Sequence, residues 1–319
     1  MRSVILGAGG FIGEAVAYRL PDASAVFTSS KNDAHRLDSD CGWLDKELSG
    51  AEVVYLCAGR TGGVGRMASD PMSFVYPNVR IHMNVFEAAV KAGVRRVVCV
   101  GSTTGYPDTG MPVTEDQYLE GDLHPAYFVP GNAHRFIKRL SMMHKDLETV
   151  FFRPSNVYGP GNNFDPGTSH VIEATVRKVA ERQDPFVIWG TGEEVRDAIY
   201  IDDLAEAIAL GADCPPGDYN VGSGEEMTVN QIVDALLGHA GFRPEIVHDL
   251  SKPTAIAARR VDCTKLKALG WAPKVGMAEG LKRTLDWYLK QSTSLRTEIW
   301  NENWSVKIEN SRLDPASPV

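Results

Sequence analysis

The feature that most constrains this chain is its opening, where Val4-Ile5-Leu6 runs straight into Gly7, Gly10 and Gly13. A short, wholly apolar run reads as a strand buried on both faces. Glycines at three-residue intervals then read as a tight strand-to-helix turn, and each answers a different need. Gly7 permits the turn, Gly10 lets the backbone approach a pyrophosphate, and Gly13 lets the helix pack close on its strand. The free N–H groups at such a helix start form a seat for phosphate. Gly7, Gly10, Phe11, Ile12 and Gly13 are therefore candidate dinucleotide contacts. The same triplet would also serve a close packing with no ligand, but its position between an apolar strand and an amphipathic helix (Phe11, Ile12, Ala15, Val16, Leu20) favours the ligand.

At 319 residues the chain suits one large α/β domain with a smaller appended lobe better than two independent halves. Its net charge of −8 argues against nucleic acid and against an anionic membrane surface as partners. An anionic substrate would need local arginines to overcome that sign. Cys41, Cys57, Cys99, Cys214 and Cys263 are scattered with no Cys-x-x-Cys pair, which suits reduced thiols and neither a disulfide frame nor a metal site. The apolar start is too short and too interrupted by glycine for a targeting segment or a membrane span, so a cytoplasmic protein is expected.

Farther along, Ser24-Ala25-Val26-Phe27-Thr28 reads as a second strand that ends in Ser29-Ser30-Lys31-Asn32. An acid closing this strand would accept hydrogen bonds from an adenosine ribose and repel a 2′-phosphate. Here none occurs before Asp33, while Thr28, Ser29, Ser30 and Lys31 supply hydroxyls and a cation, which favours NADP and leaves NAD possible. Asp38 is a candidate adenine contact. Residues 51–59 form a third buried strand that ends in the small residues Cys57, Ala58 and Gly59, where backbone can pass beneath a cofactor. A glycine-rich loop, Thr61-Gly62-Gly63-Val64-Gly65, follows, then Phe74-Val75-Tyr76-Pro77-Asn78 and a helix through residues 85–89. The strand at 95–101 delivers Ser102-Thr103-Thr104 to the carboxyl end of the sheet, where ligands sit in open α/β folds.

The glycine triplet, Val100-Gly101-Ser102-Thr103-Thr104-Gly105-Tyr106-Pro107 and Arg153-Pro154-Ser155-Asn156-Val157-Tyr158-Gly159-Pro160 together resemble the extended short-chain dehydrogenase/reductases that modify nucleotide sugars. Gly62-Gly63-Val64-Gly65, Phe74–Asn78, Thr168-Ser169-His170-Val171-Ile172, Trp189-Gly190 and Val195-Arg196-Asp197 narrow the likeness to the GDP-fucose synthase and GDP-mannose 3,5-epimerase branch. The resemblance implies a Rossmann doubly wound parallel sheet with a smaller mixed α/β substrate-binding lobe. It implies a dinucleotide-binding domain over 1–160, completed by about 195–222, a lobe from 161–194 and 223–290, and a C-terminal extension over 291–319. In that extension, Trp300 and Trp304 could pin the tail to a surface. Asn78, Pro154, Asn156 and Val157 would join the cofactor contacts. Asn156, Ser169, His170, Val171, Trp189, Arg196 and Arg259 would hold a nucleotide-diphosphate sugar, with Arg196 best suited to a phosphate because a guanidinium binds two oxygens at once. A homodimer is also implied.

The chemistry such a family performs is hydride transfer at a sugar carbon. A phenol beside a cation exchanges the hydroxyl proton, and a serine or threonine steadies the same oxygen. The family's tyrosine and lysine stand four residues apart, but here Tyr127 is followed at that distance by Gly131, and Pro130-Gly131 argues against Tyr127 lying in the helix. Reading the register from Phe136, Ile137, Leu140 and Met143 places His134 at the lysine's position, so that an imidazolium would assist Tyr127; Lys138 is a weaker candidate. A rim tyrosine and a surface histidine remain the plainer alternative. Thr104 stands where epimerising relatives have cysteine, and Gly161 where fucose synthases have histidine in Tyr-Gly-Pro-His-Asn. A threonine hydroxyl is too weak an acid to exchange a carbon-bound proton. The expectation is therefore 4-keto reduction or C4-type epimerisation of a nucleotide-activated hexose, with Ser102, Thr103 or Thr104, Tyr127 and His134 as the catalytic group. The alternatives are a catalytically degenerate dinucleotide-binding relative with a regulatory role, and a lyase-type reaction on a sugar nucleotide.

Overall fold

The computed structural model describes residues 1–28, 35–252, 254 and 256–291. Its first half alternates strand and helix: β1 (Ser3–Leu6), α1 (Phe11–Arg19), β2 (Ser24–Val26), α2 (Leu44–Glu47), β3 (Val53–Leu56), α3 (Val64–Ser69), α4 (Met72–Lys91), β4 (Arg96–Val100), α5 (Phe128–Met143) and β5 (Glu148–Pro154). There follow β6 (Asn156–Tyr158), α6 (Val171–Ala180), β7 (Phe186–Trp189), β8 (Val195–Tyr200), α7 (Ile201–Ala209), β9 (Gly217–Val221), β10 (Glu226–Thr228), α8 (Val229–Ala240), β11 (Ile246–Asp249), β12 (Ala258–Arg259) and α9 (Thr264–Lys267). A last helix, α10, spans 277–291.

The main sheet is parallel throughout, in the order β2-β1-β3-β4-β5-β9. Alternate residues of one strand point to opposite faces, and the core divides accordingly. Val54, Leu56, Val97, Cys99 and Phe151 pack under α4 and α5 with Ile81, Val85, Phe86 and Ile137. Their neighbours Val53, Tyr55, Val98, Val150 and Phe152 pack under α1 and α7 with Val16, Leu204, Ala205 and Ile208. Because both faces are covered, these strands carry apolar residues at successive positions, as the sequence showed. The chain leaves β1 toward β2 on one side and returns to β3 on the other. This reversal opens a crevice at the carboxyl ends of β1 and β3, the place where such sheets bind ligands.

A second layer of structure lies over that end. Strand β8 pairs with β10 antiparallel and with β12 and β6 parallel, and β7 pairs with β11. These strands share a core with α6, α8 and α10 through Ile172, Val176, Ile188, Tyr200, Ile232, Leu236, Met277 and Leu281. Residues 195–204 split between the two units. Strand β8 belongs to the smaller one, whereas α7 turns back against α1, and β9 re-enters the main sheet beside β5. Phe74–Asn78 lies inside α4 rather than ahead of it, with Pro77 within the helix.

Candidate functional site

The crevice is a cavity of about 670 Å³ lined by Gly7, Gly10, Thr28, Leu37, Asp38, Cys57, Ala58 and Gly59 on the sheet side. Its other walls are Arg60, Thr61, Arg66, Ser73, Phe74 and Ile81, with Asn163, Asp165 and Thr168 facing them from the second unit. Gly7 takes φ +91°, in the left-handed region that glycine adopts without strain. The N–H groups of Gly7 and Ala8 both donate to the Val26 carbonyl, at 3.1 Å each, which bends the chain off β1. A side chain at Gly13 would collide with the Gly7 carbonyl, so the start of α1 lies directly against the turn. Phe11 and Ile12 face the second unit, packed beside its core.

Asp38 sits at the mouth between two guanidiniums, 3.0 Å from Arg36 Nε and 3.7 Å from Arg60. The hydrogen bond from Arg36 is the main reason its carboxyl lies below the usual range. Asn78 fixes the loop after β3, accepting from Arg60 N–H at 2.7 Å and donating to the Arg60 carbonyl at 2.9 Å. Cys57 lines the cavity with its thiol pushed up to about 12 by burial, so it is a small wall group and no nucleophile. The glycine-rich loop crosses the crevice: Gly63 N–H donates to the Thr168 carbonyl at 3.0 Å, and a Cβ on Gly63 would stand 2.5 Å from the Ser169 carbonyl oxygen. Ser29, Ser30 and Lys31 lie outside the described residues.

A cavity at the switch point, a glycine-only turn and a carboxylate at its rim fit the adenosine and pyrophosphate of a dinucleotide. Arg60, Arg66 and the 163–168 segment were not foreseen. Two arginines flanking a glycine-rich loop in an acidic chain were the available clue.

At the end of β4, Ser102 caps a short turn, accepting from Thr104 N–H at 3.2 Å and sharing a hydroxyl contact of 2.8 Å with Thr104. Tyr118 donates to the Ser102 carbonyl at 3.1 Å. Helix α5 packs on this turn so tightly that a Cβ at Gly131 would stand 2.5 Å from the Thr104 carbonyl oxygen and 2.8 Å from Leu123 Cδ1.

The helix itself departs from the sequence-based register. It starts at Phe128, with Tyr127 as its cap. Pro130 is accommodated because it falls in the first turn, where no intrahelical N–H bond is lost. Gly131 therefore stands one turn from Tyr127 and His134 two turns away, roughly 10 Å along the axis. His134 is no imidazolium partner: burial first, then His82 and Arg153, push its imidazole down to about 3. It is neutral at physiological pH. Lys138 is bound to Asp218 at 2.9 Å, and the same carboxylate holds the buried Arg153 at 3.2 Å. Both cations serve an internal network beneath β5.

Tyr127 instead faces the second unit. The Arg259 guanidinium lies 5.9 Å from its ring centroid. Burial raises its phenol, while Arg196 and then Arg259 draw it back. The two arginines are cross-strand partners in register on β8 and β12, 9% and 7% exposed. Arg196 donates to the carbonyls of Val195 and Ile256, and Arg259 to that of Pro107. One Arg259 amino group is buried with no hydrogen-bond partner.

Asn156 ties β6 to β8 through the Asp197 carbonyl at 3.0 Å. His170 caps α6 ahead of Val171, and Ser169 has a buried hydroxyl without a partner. Pro154 ends β5, and Val157 packs between the cores of the two units. Trp189 is 44% exposed, beside Gly65 and Lys252, and so is no core residue.

Known proteins resemble this chain over most of its length. Residues 3–222 match the NAD dependent epimerase/dehydratase family. The probable GDP-L-fucose synthase 1 of Oryza sativa subsp. japonica is 31% identical over 307 residues, covering 92% of this chain and 93% of that protein. The GDP-L-fucose synthase of Escherichia coli (strain K12) is 28% identical over 318 residues, covering 92% and 98%. Among solved structures, a GDP-6-OMe-4-keto-L-xylo-heptose reductase from C. jejuni superposes with a TM-score of 0.81 at 24% identity, covering 91% of this chain and 98% of that one. A GDP-L-fucose synthetase from Naegleria fowleri bound to NADP gives 0.77 at 21%, covering 91% and 94%.

Proposed function

This chain belongs to the NAD dependent epimerase/dehydratase family, and on that premise we propose that it reduces a GDP-linked 4-keto hexose with NADPH. The observation that carries the reading is the strand-end pair Ser102–Thr104, joined at 2.8 Å. It offers two hydroxyls to a carbonyl oxygen and holds no thiol able to exchange a carbon-bound proton. Reduction needs only the former. GDP is favoured by the names of the relatives at 28–31% identity, both GDP-L-fucose synthases, and NADP by the Naegleria structure solved with it.

The bound nicotinamide supplies the hydride. Gly7, Gly10 and the start of α1 would seat its pyrophosphate, and Asp38 its adenosine. Arg196 and Arg259, buried side by side and with no ion pair among the described residues, suit the sugar nucleotide's diphosphate. Ser102 orients the keto oxygen, and Tyr127 gives it a proton. Burial keeps that phenol protonated at neutral pH, the state a donor requires. NADPH oxidation with GDP-4-keto-6-deoxymannose tests the reading. Turnover supports it, and binding of both ligands without turnover would leave the catalytically degenerate alternative standing.

Two helices suggest the assembly. Tyr76, Met83 and Val90 on α4, and Val129, Phe136 and Met143 on α5, are exposed apolar residues seven positions apart, so each set forms a stripe along its helix. The helices pack beside one another, and a second copy would cover both stripes in a four-helix arrangement. Among the described residues no helix is long and apolar enough to cross a membrane. The five cysteines are free, which suits a reducing cytoplasm.

A further inference from the structure

A reductase whose proton donor is a tyrosine needs a cation near the phenol, and the helix carrying Tyr127 supplies none. Gly131 has no side chain and no room for one. His134 is neutral, and Lys138 and Arg153 are committed to Asp218. On the opposite side, β8 and β12 pair Arg196 with Arg259 in register, and the Arg259 guanidinium lies 5.9 Å from the centre of the Tyr127 ring. We propose that Arg196 and Arg259 together are the electrostatic partner of Tyr127, taking the part that position 131 leaves vacant.

His124 of the preceding turn lies with its ring centroid 5.9 Å from that of Tyr127. Helix α3 touches the Pro125–Tyr127 turn and brings Arg66, whose guanidinium covers the Phe74 ring. A backbone hydrogen bond from Ile256 also favours the ionised phenol. Asp108 acts on Arg259 and Glu194 on Arg196 from a distance, but neither forms an ion pair with its arginine among the described residues. The Arg259 amino group left without a partner gives the site an uncommitted donor on that side.

The assignment rests on the reductase reading, yet it has a readout that requires no turnover. Alkaline ultraviolet difference titration of the parent minus Tyr127→Phe isolates the ionisation of this one phenol. An opposite charge within about 6 Å stabilises an ionised group by one pKa step or more, so Arg259→Gln should leave roughly tenfold less Tyr127 tyrosinate at a given alkaline pH. Arg259→Lys should restore most of it, and Arg196→Gln, a separate variant in case Arg259→Gln does not fold, should shift it in the same direction. Where turnover is measurable, the alkaline limb of kcat should move upward in pH in both Gln variants, because a donor with a weaker cation stays protonated longer. An unchanged titration in a folded Arg259→Gln or Arg196→Gln protein overturns the assignment. So does equal loss in Arg259→Gln and Arg259→Lys, which marks a packing role. Absence of reductase activity with the titration shifts intact would overturn the function and leave the pairing standing.

Discussion

Restoring the family's lysine should harm this protein. In Gly131→Lys the new Cβ would stand 2.5 Å from the Thr104 carbonyl oxygen, whereas ordinary contact begins near 3.4 Å. Helix α5 and the Ser102–Thr104 turn must therefore separate by about 0.9 Å, the difference of those two distances. The obstacle is backbone, which cannot swing aside as a side-chain tip can. Overpacking of this kind costs about 1–3 kcal/mol, and the better helix propensity of a non-glycine residue returns at most about 1 kcal/mol. A displacement near 1 Å of a group that orients the reacting oxygen costs on the order of 10²-fold in rate. We expect Gly131→Lys to melt a few degrees below the parent and to lose about two orders of magnitude in kcat. Gly131→Ala, which adds the same Cβ without a charge, should behave alike. The assays are thermal denaturation and NADPH oxidation on all three proteins. A Gly131→Lys protein with unchanged melting and faster turnover would refute the reasoning, because it would show a vacancy where the structure shows a contact.

Gly63→Ala should loosen the loop that crosses the crevice, since its Cβ would meet the Ser169 carbonyl oxygen at 2.5 Å; losing the Thr168 bond should weaken NADPH binding about tenfold in fluorescence titration. Phe136→Asp, or Met83→Asp on the neighbouring helix, puts a charge in the exposed apolar stripe and should give a monomer by light scattering with the melting of the isolated subunit retained. Glu173 is 1% exposed, accepts from Asn162 at 2.6 Å, and has its carboxyl raised by burial from 4.5 to about 7. Its folded-state pKa lies above the unfolded one, so its contribution is complete below pH 4.5 and is lost as pH rises through about 7. Glu173→Gln should thus stabilise the protein at pH 8, by about 3 kcal/mol at most, and have little effect at pH 4.5. Equal effects at both pH values would contradict the buried ionisation.

The sheet was readable because its strands declare themselves. Val4–Leu6, Val53–Leu56 and Val97–Val100 are short apolar runs that lead into small residues, and glycines at 7, 10 and 13 admit few structures other than a tight turn into a helix. Strand β8 was harder. Val195–Tyr200 has the composition of a central strand, and only pairing with β6, β10 and β12, which are far apart in sequence, assigns it to the smaller unit. Pro130 correctly marked Tyr127 as lying outside α5, which begins at Phe128 with the proline harmless in its first turn. The register failed because Phe136 and Met143, read as core positions, are exposed while Ile137 is buried, so that Gly131 and not His134 stands one turn from Tyr127. The cationic neighbours of Tyr127 could not be read locally, because Arg196 and Arg259 meet it through a strand pairing that spans 63 positions, the difference of their numbers.

The central claim is that the dinucleotide held at the glycine turn is used, with Tyr127 as proton donor. The direct measurement is single-turnover oxidation of NADPH by the full chain mixed with GDP-4-keto-6-deoxymannose, run beside Tyr127→Phe. The account predicts oxidation by the parent and a rate about 10²- to 10⁴-fold lower in the variant, with NADPH binding unchanged. Equal rates in the two proteins, or none in a parent that binds both ligands, would contradict it.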